Sequence, residues 1–230
     1  MANRSGARIA FFSACVLVAT APAVWANGGG GMSMPDVRSR EQTPEDKAKD
    51  LYNSGVRDVK KADKYQASAA ELTDARKKEK AQREAQEYYT SALAKFKQAL
   101  QNDPRMPEGW NYVGYSSRKL GNYEVALGAY EQALTLRPGY PDALEYRGEA
   151  FLGLNKVADA QQAYLDLFAG NRALADKLLT AMKSWVESQR SSATADAQAV
   201  SELDKWIQER TAIASQTASL TREGAALSWN

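Results

Sequence analysis

Glu145 and Glu149 are spaced four residues apart, which places two carboxylates on one face of a helix. Paired carboxylates held about 5 to 9.5 Å apart across a cleft cleave glycosidic bonds. On one exposed helix face the same pair is ordinarily solvated, and that reading is the preferred one. The chain has no histidine, and its single cysteine is Cys15. Histidine-based acid–base catalysis, Ser-His-Asp and Cys-His nucleophiles and histidine zinc sites are therefore excluded. No motif supports a Ser-Lys pair. The basic run from Arg76 to Arg83 could meet an anionic surface, but Glu79 lies within it and Glu84 follows it, as on a solvated helix face. Trp185 and Trp206 fall in apolar stripes and read as core. No catalytic residue, metal site or cofactor is expected.

The N-terminus bears the marks of export. Arg4 and Arg8 precede an apolar run from Ile9 to Ala19, followed by Ala-Pro-Ala-Val-Trp-Ala. This is the order of a secretory signal peptide, residues 1–26, cleaved after Ala26. The run is shorter than the roughly 20 apolar residues of a membrane span. Cys15 lies in a poor lipobox, and cleavage after Ala26 would remove it and leave the mature chain without a thiol. The signal holds two of the 30 basic residues and none of the 28 acidic ones, leaving 28 of each in the mature chain. Such a balance lacks the basic excess of a nucleic-acid-binding domain. The expected location is outside the cytoplasm, in the periplasm, with no membrane span after cleavage. Residues 27–42 include four consecutive glycines and read as a flexible linker.

Helices must position everything that follows. Thr43-Pro44-Glu45-Asp46 is a helix start: a capping hydroxyl, a proline suited to the first turn and two acids at the positive helix end. One helix is expected from about Pro44 to Tyr65 and a second from about Ala67 to Gln101. Beyond them the sequence repeats. Ala92, Ala126 and Ala160 are evenly spaced, and Phe96, Tyr130 and Tyr164 keep the same interval, as do Leu100, Leu134 and Phe168. The pairs Pro104 and Pro138, Pro107 and Pro141, and Gly114 and Gly148 share it too. Coincident offsets of this kind mark a stack of helix pairs. Small residues let helix backbones approach, large aromatics fill the space between pairs, and no unit covers its apolar face alone.

The unit from Pro107 to Pro138, with Trp110, Gly114, Leu120, Gly121, Tyr123, Ala126, Tyr130, Ala133 and Pro138, resembles the tetratricopeptide repeat nearly position for position. The unit from Pro141 keeps Leu144, Gly148, Leu154, Ala160 and Tyr164 but has Arg172 where the closing proline would stand. Ahead of them, Leu51 to Gly55 offers a first helix, yet Gly55 lies much further before Gly114 than Gly114 lies before Gly148, so an insertion interrupts this unit. The resemblance implies an all-α fold: a short right-handed α-solenoid of about three helix pairs with C-terminal capping helices. The repeat domain spans 43–190, with an inserted helical segment at about 67–85, repeats at about 107–140 and 141–170, and a capping helix at 171–190. Residues 191–230 supply a C-terminal helix, from about Ala197 to Gln216, and a loose tail.

Arrays of this family curve so that the first helix of each pair lines a groove for a peptide or helix. The groove positions implied are Glu108, Asn111, Tyr115, Arg118 and Lys119, then Asp142, Glu145 and Glu149, with Tyr52 and Val56 from the first unit. That set gives a groove with one basic and one acidic end, and with an amide at Asn111 free to pair with a peptide backbone. Glu145 and Glu149 stand where the carboxylate-clamp form of the family places positive charge, which argues against capture of a chain-terminal carboxylate. The expected function is a non-catalytic scaffold or adaptor of the cell envelope that binds another protein. The alternatives are a self-associating structural protein, using the inserted and C-terminal helices, and an accessory subunit of an envelope complex.

Overall fold

The computed structural model describes residues 42–192 and 196–227, with side chains described as far as Gln216. The expected signal peptide, and its linker up to residue 41, lie outside the described residues. Among the described residues eight helices follow one another: α1 (Pro44–Glu71), α2 (Ala75–Asn102), α3 (Pro107–Lys119), α4 (Tyr123–Leu136), α5 (Pro141–Gly153), α6 (Val157–Gly170), α7 (Arg172–Arg190) and α8 (Ala197–Leu227). No strand occurs among the described residues, and no described helix is long and apolar enough to cross a membrane.

Each helix begins where its local chemistry dictates. Thr43 caps α1 in a capping box with Asp46, and Pro44 occupies the first turn. Asp74 and Asn171 accept amide hydrogen bonds at the starts of α2 and α7. Between α3 and α4 the chain reverses at Gly121, whose φ of +81° costs glycine nothing. Asn155 holds the equivalent place in the next repeat with φ +57°, a conformation that asparagine tolerates better than most residues.

The inserted residues do not form a segment of their own. Past Gly55, α1 runs on to Glu71, about three turns longer than α3 runs past the equivalent Gly114. Ahead of Ala92, α2 begins at Ala75, about four turns earlier than α4 begins ahead of the equivalent Ala126. Together these turns account for the whole insertion, so the first helix pair is an elongated hairpin whose turn is Leu72–Asp74. The break expected near Gln66 is absent, because nothing between Tyr65 and Glu71 stops a helix. Asp58, buried within this hairpin, ties it together by accepting hydrogen bonds from Lys95 at 2.5 Å and Ser91 at 2.7 Å. Burial opposes its charge, but the Lys95 and Ser91 bonds prevail and hold its carboxyl below the usual range.

Packing follows the repeat. Tyr130 and Tyr164 are fully buried at equivalent positions, and Phe96 is buried at the corresponding place in α2. A side chain at Gly114 would overlap the Tyr130 ring, one at Gly55 the Phe96 ring and one at Gly148 the Leu178 side chain. Glycine at these places is therefore a requirement of close helix approach. α7 packs on both α5 and α6, and α8 returns along α7, burying Val200, Leu203 and Ile207 while Trp206 meets Tyr164 edge to face at 5.2 Å. The C-terminal pair thus extends the stack as a further hairpin. α8 continues to Leu227, past the expected end at Gln216, through a stretch without proline.

Candidate binding groove

The first helices of successive pairs approach one another: α1 meets α3, α3 meets α5 and α5 meets α7, whereas successive second helices keep their backbones further apart. An array closer on one side than the other bends toward that side. The face built by α1, α3, α5 and α7 is therefore the inner one.

Tyrosines run along it. Tyr52 meets Tyr112 edge to face at 5.7 Å, Tyr112 meets Tyr115 at 6.3 Å and Tyr115 meets Tyr146 at 5.0 Å. All four are partly buried. Aromatic rings at these spacings and angles attract one another beyond their burial. Phe96 stacks on Tyr112 at 4.9 Å and Tyr89 meets Tyr115 at 6.2 Å, so a second layer holds the ladder from below. The hydroxyls of Tyr115 and Tyr89 both donate to Asp63 Oδ1, at 2.7 and 2.5 Å. Burial and the neighbouring Asp63 carboxylate push the Tyr115 phenol far above its ordinary range, so it stays neutral and donating.

At the α3–α5–α7 end the ladder opens into a hollow of about 430 Å³ lined by Tyr115, Arg118, Lys119, Glu145, Tyr146 and Glu149, with Lys177, Thr180, Ala181 and Ser184 from α7. Arg118 is ion-paired with Glu149, and its guanidinium lies 5.3 Å from the centres of both the Tyr115 and Tyr146 rings. Burial works against this charge, but Glu149, Tyr130 and Tyr115 together outweigh it and keep Arg118 protonated. Lys119 lies 5.5 Å from the Tyr115 ring. Burial and the repulsion of Arg118 lower its amine below the usual lysine range. Glu145 is buried with Oε2 unpartnered. Burial, reinforced by the Glu149 carboxylate, raises its pKa to about 8.

Of the expected groove residues, Tyr115, Arg118, Lys119, Glu145 and Glu149 come together around this hollow. Tyr52 stands at the other end of the ladder, where Glu108 is ion-paired with Arg137 and Asp142 acts on Tyr112 and Tyr140. Val56 packs into the core beside Tyr52. Two expectations fail. Asn111 is only 3% exposed and its Oδ1 is buried without a partner, so it does not offer an amide to a bound peptide. The groove also lacks separate basic and acidic ends, because Arg118 and Glu149 pair directly across α3 and α5. Sequence reasoning missed Tyr112 and Tyr146, each one position beyond an expected residue and themselves separated by the repeat interval. That spacing was the available signal; Asp63, in the insertion, and Lys177, on the helix read as a cap, had none.

The Tetratricopeptide repeat family model matches residues 80–141 and again 114–175. Residues 80–175 of the chain are tetratricopeptide repeats. Among solved structures, the first TPR of Spaghetti (RPAP3) bound to the HSP90 peptide SRMEEVD is similar to it, with 20% sequence identity and a TM-score of 0.39. That match covers 55% of this chain and 94% of the other. The matched repeats run from within α2 into α7, so α1 and α8 lie beyond the stretch the family model recognises.

Proposed function

We propose that this tetratricopeptide array is a non-catalytic protein-binding scaffold that holds a peptide or helix of a partner along its inner face. The observation that carries the proposal is the ladder Tyr52–Tyr112–Tyr115–Tyr146 leading into the hollow beneath α7. Tyrosine and arginine are the residue types enriched where binding energy concentrates. Here Tyr115 is held by Asp63 and Arg118 by Glu149 before any partner arrives, which reduces the ordering cost of binding. The apolar stripe of α8 at Val200, Leu203 and Ile207 is occupied within the chain, which favours this reading over self-association through that helix.

We further propose that the scaffold works in the cell envelope after export, on the strength of Arg4, Arg8 and the apolar run to Ala19. Fractionation with N-terminal sequencing tests this: a periplasmic chain starting at Asn27 supports it, and an intact cytoplasmic chain opposes it. The groove is tested by blocking it. Thr180 and Ser184 are exposed on α7 and line the hollow, so Thr180→Trp or Ser184→Trp fills it without touching the core. A partner retained by the parent should be lost with these variants, whereas undiminished retention would remove the groove from consideration.

A further inference from the structure

The elongated first hairpin makes a second hollow, of about 430 Å³, that an array without the insertion would lack. Its floor is small, built by the buried Ala69 and Ala85, and its lining also carries Ala70, Gln66, Gln82 and Gln86 with Lys78, Tyr89 and Lys119. Lys119 lines this hollow and the one beneath α7 alike, so the two adjoin along the inner face. All the lining residues from α1 and α2 except Tyr89 lie in the inserted turns.

The lining contains two lysines, three amides and no carboxylate. Among the described residues neither Lys78 nor Lys119 forms an ion pair within 4.0 Å. Lys119 is half-buried, and its amine is held below its ordinary range by burial and by Arg118. An anion brought beside it would offset both effects, adding to the attraction that Asp63, Glu149 and Glu145 already exert. Gln82 and Gln86 can donate from their amide nitrogens and accept at their oxygens, and Gln66, whose Oε1 accepts from the Tyr89 hydroxyl at 2.9 Å, can donate from its nitrogen, a set suited to a carboxylate and to the peptide groups on either side of it. The alanine floor leaves room for a side chain to enter.

We propose that this hollow is a specificity pocket for an acidic side chain, aspartate or glutamate, within a partner peptide lying in the groove. The inference rests on the groove reading and adds to it the chemistry of the partner: an acidic residue inside the peptide, held by Lys78 and Lys119 on the hairpin side.

The probe is an octaglutamate peptide, labelled with fluorescein at its N-terminus and amidated at its C-terminus so that no chain-terminal carboxylate is present. Octaglutamine and octalysine with the same label are the controls. Binding to the full chain is read by fluorescence anisotropy at fixed ionic strength. Octaglutamate should bind and the two controls should not. Lys78→Glu should weaken binding about tenfold, because it reverses a charge inside the pocket. Gln86→Leu should weaken it by a few-fold. Lys80→Glu makes the same charge change on the same helix outside the pocket and should matter less than twofold. Equal losses with Lys78→Glu and Lys80→Glu, or equal binding of octalysine, would overturn the pocket. No binding of octaglutamate would do the same. Thr180→Trp separates the two claims: if it leaves partner retention intact while octaglutamate still responds to Lys78→Glu, the groove reading fails and the pocket stands.

Discussion

Glu145→Gln should make the protein more stable at pH 8 and leave it nearly unchanged at pH 5. Glu145 is 3% exposed, its Oε2 has no partner, and Glu149 lies beside it. These conditions raise its pKa from 4.5 to about 8. Between those values the folded chain keeps a proton that the unfolded chain has released. Stability therefore falls as pH rises through that window and levels off above it. One pKa unit corresponds to about 1.4 kcal/mol, so the full shift sets a ceiling of about 5 kcal/mol. The adjoining hollow admits water that screens the buried charge, so about 2 kcal/mol of that ceiling is expected. Glutamine keeps the shape, supplies a neutral amide and removes the titration. Urea unfolding followed by tryptophan fluorescence at pH 5, 6.5 and 8 gives the comparison directly. The stability difference between Glu145→Gln and the parent should grow by about 2 kcal/mol from pH 5 to pH 8. Parallel profiles, or a variant that loses ground at pH 8, would refute a buried neutral Glu145.

Asp58 should govern the opposite limb. Its folded pKa is lowered, so its contribution is present above the unfolded value near 4 and lost as pH falls through the folded one. Asp58→Asn should flatten the acid side of the stability profile, and Asp58→Ala should cost about 3 kcal/mol at pH 7 by stranding the partly buried Lys95. Two glycines should respond with opposite signs in thermal unfolding. Gly114→Ala meets the buried Tyr130 ring and should cost about 2 kcal/mol or more through overpacking. Gly128→Ala meets nothing within 4 Å on an exposed face of α4 and should gain about 0.5–1 kcal/mol. Tyr115→Phe removes the hydroxyl that donates to Asp63 at 2.7 Å. It should cost about 1–2 kcal/mol, measured by urea unfolding, because the acceptor is charged.

The helix pairs were legible because their cause is periodic. Gly114 and Gly148, like Tyr130 and Tyr164, recur at one fixed interval because each repeat makes the same close approach. The insertion was legible as a surplus between Gly55 and Gly114 but not as a shape. Its spacing carries no mark of how the extra turns divide between α1 and α2, which depends on where the chain can reverse, at Leu72–Asp74. The C-terminal helices were read as caps, yet α7 packs on α5 and α6 much as α5 packs on α3 and α4.

The candidate site was legible to within about one helical position. Tyr115, Arg118, Lys119, Glu145 and Glu149 were found, whereas Asn111 is buried in the stack, and Tyr112 and Tyr146, one position beyond Asn111 and Glu145, form the ladder. A repeat motif fixes the helix but not its rotation to the last 100°, and one residue of phase exchanges a groove position for a buried one. The pairing of Arg118 with Glu149 was hidden for a different reason: it joins residues 31 apart, a separation produced by stacking rather than by the repeat itself.

The inner face is tested most directly by placing a photoreactive amino acid at single positions of the full chain in living cells. Tyr112 and Lys177 lie on the inner helices, and Val125, 54% exposed on α4, is the outward control. One and the same partner polypeptide should crosslink from Tyr112 and Lys177 and not from Val125. Crosslinking of that partner from Val125 alone, or equally from all three positions, would contradict a groove on the inner face.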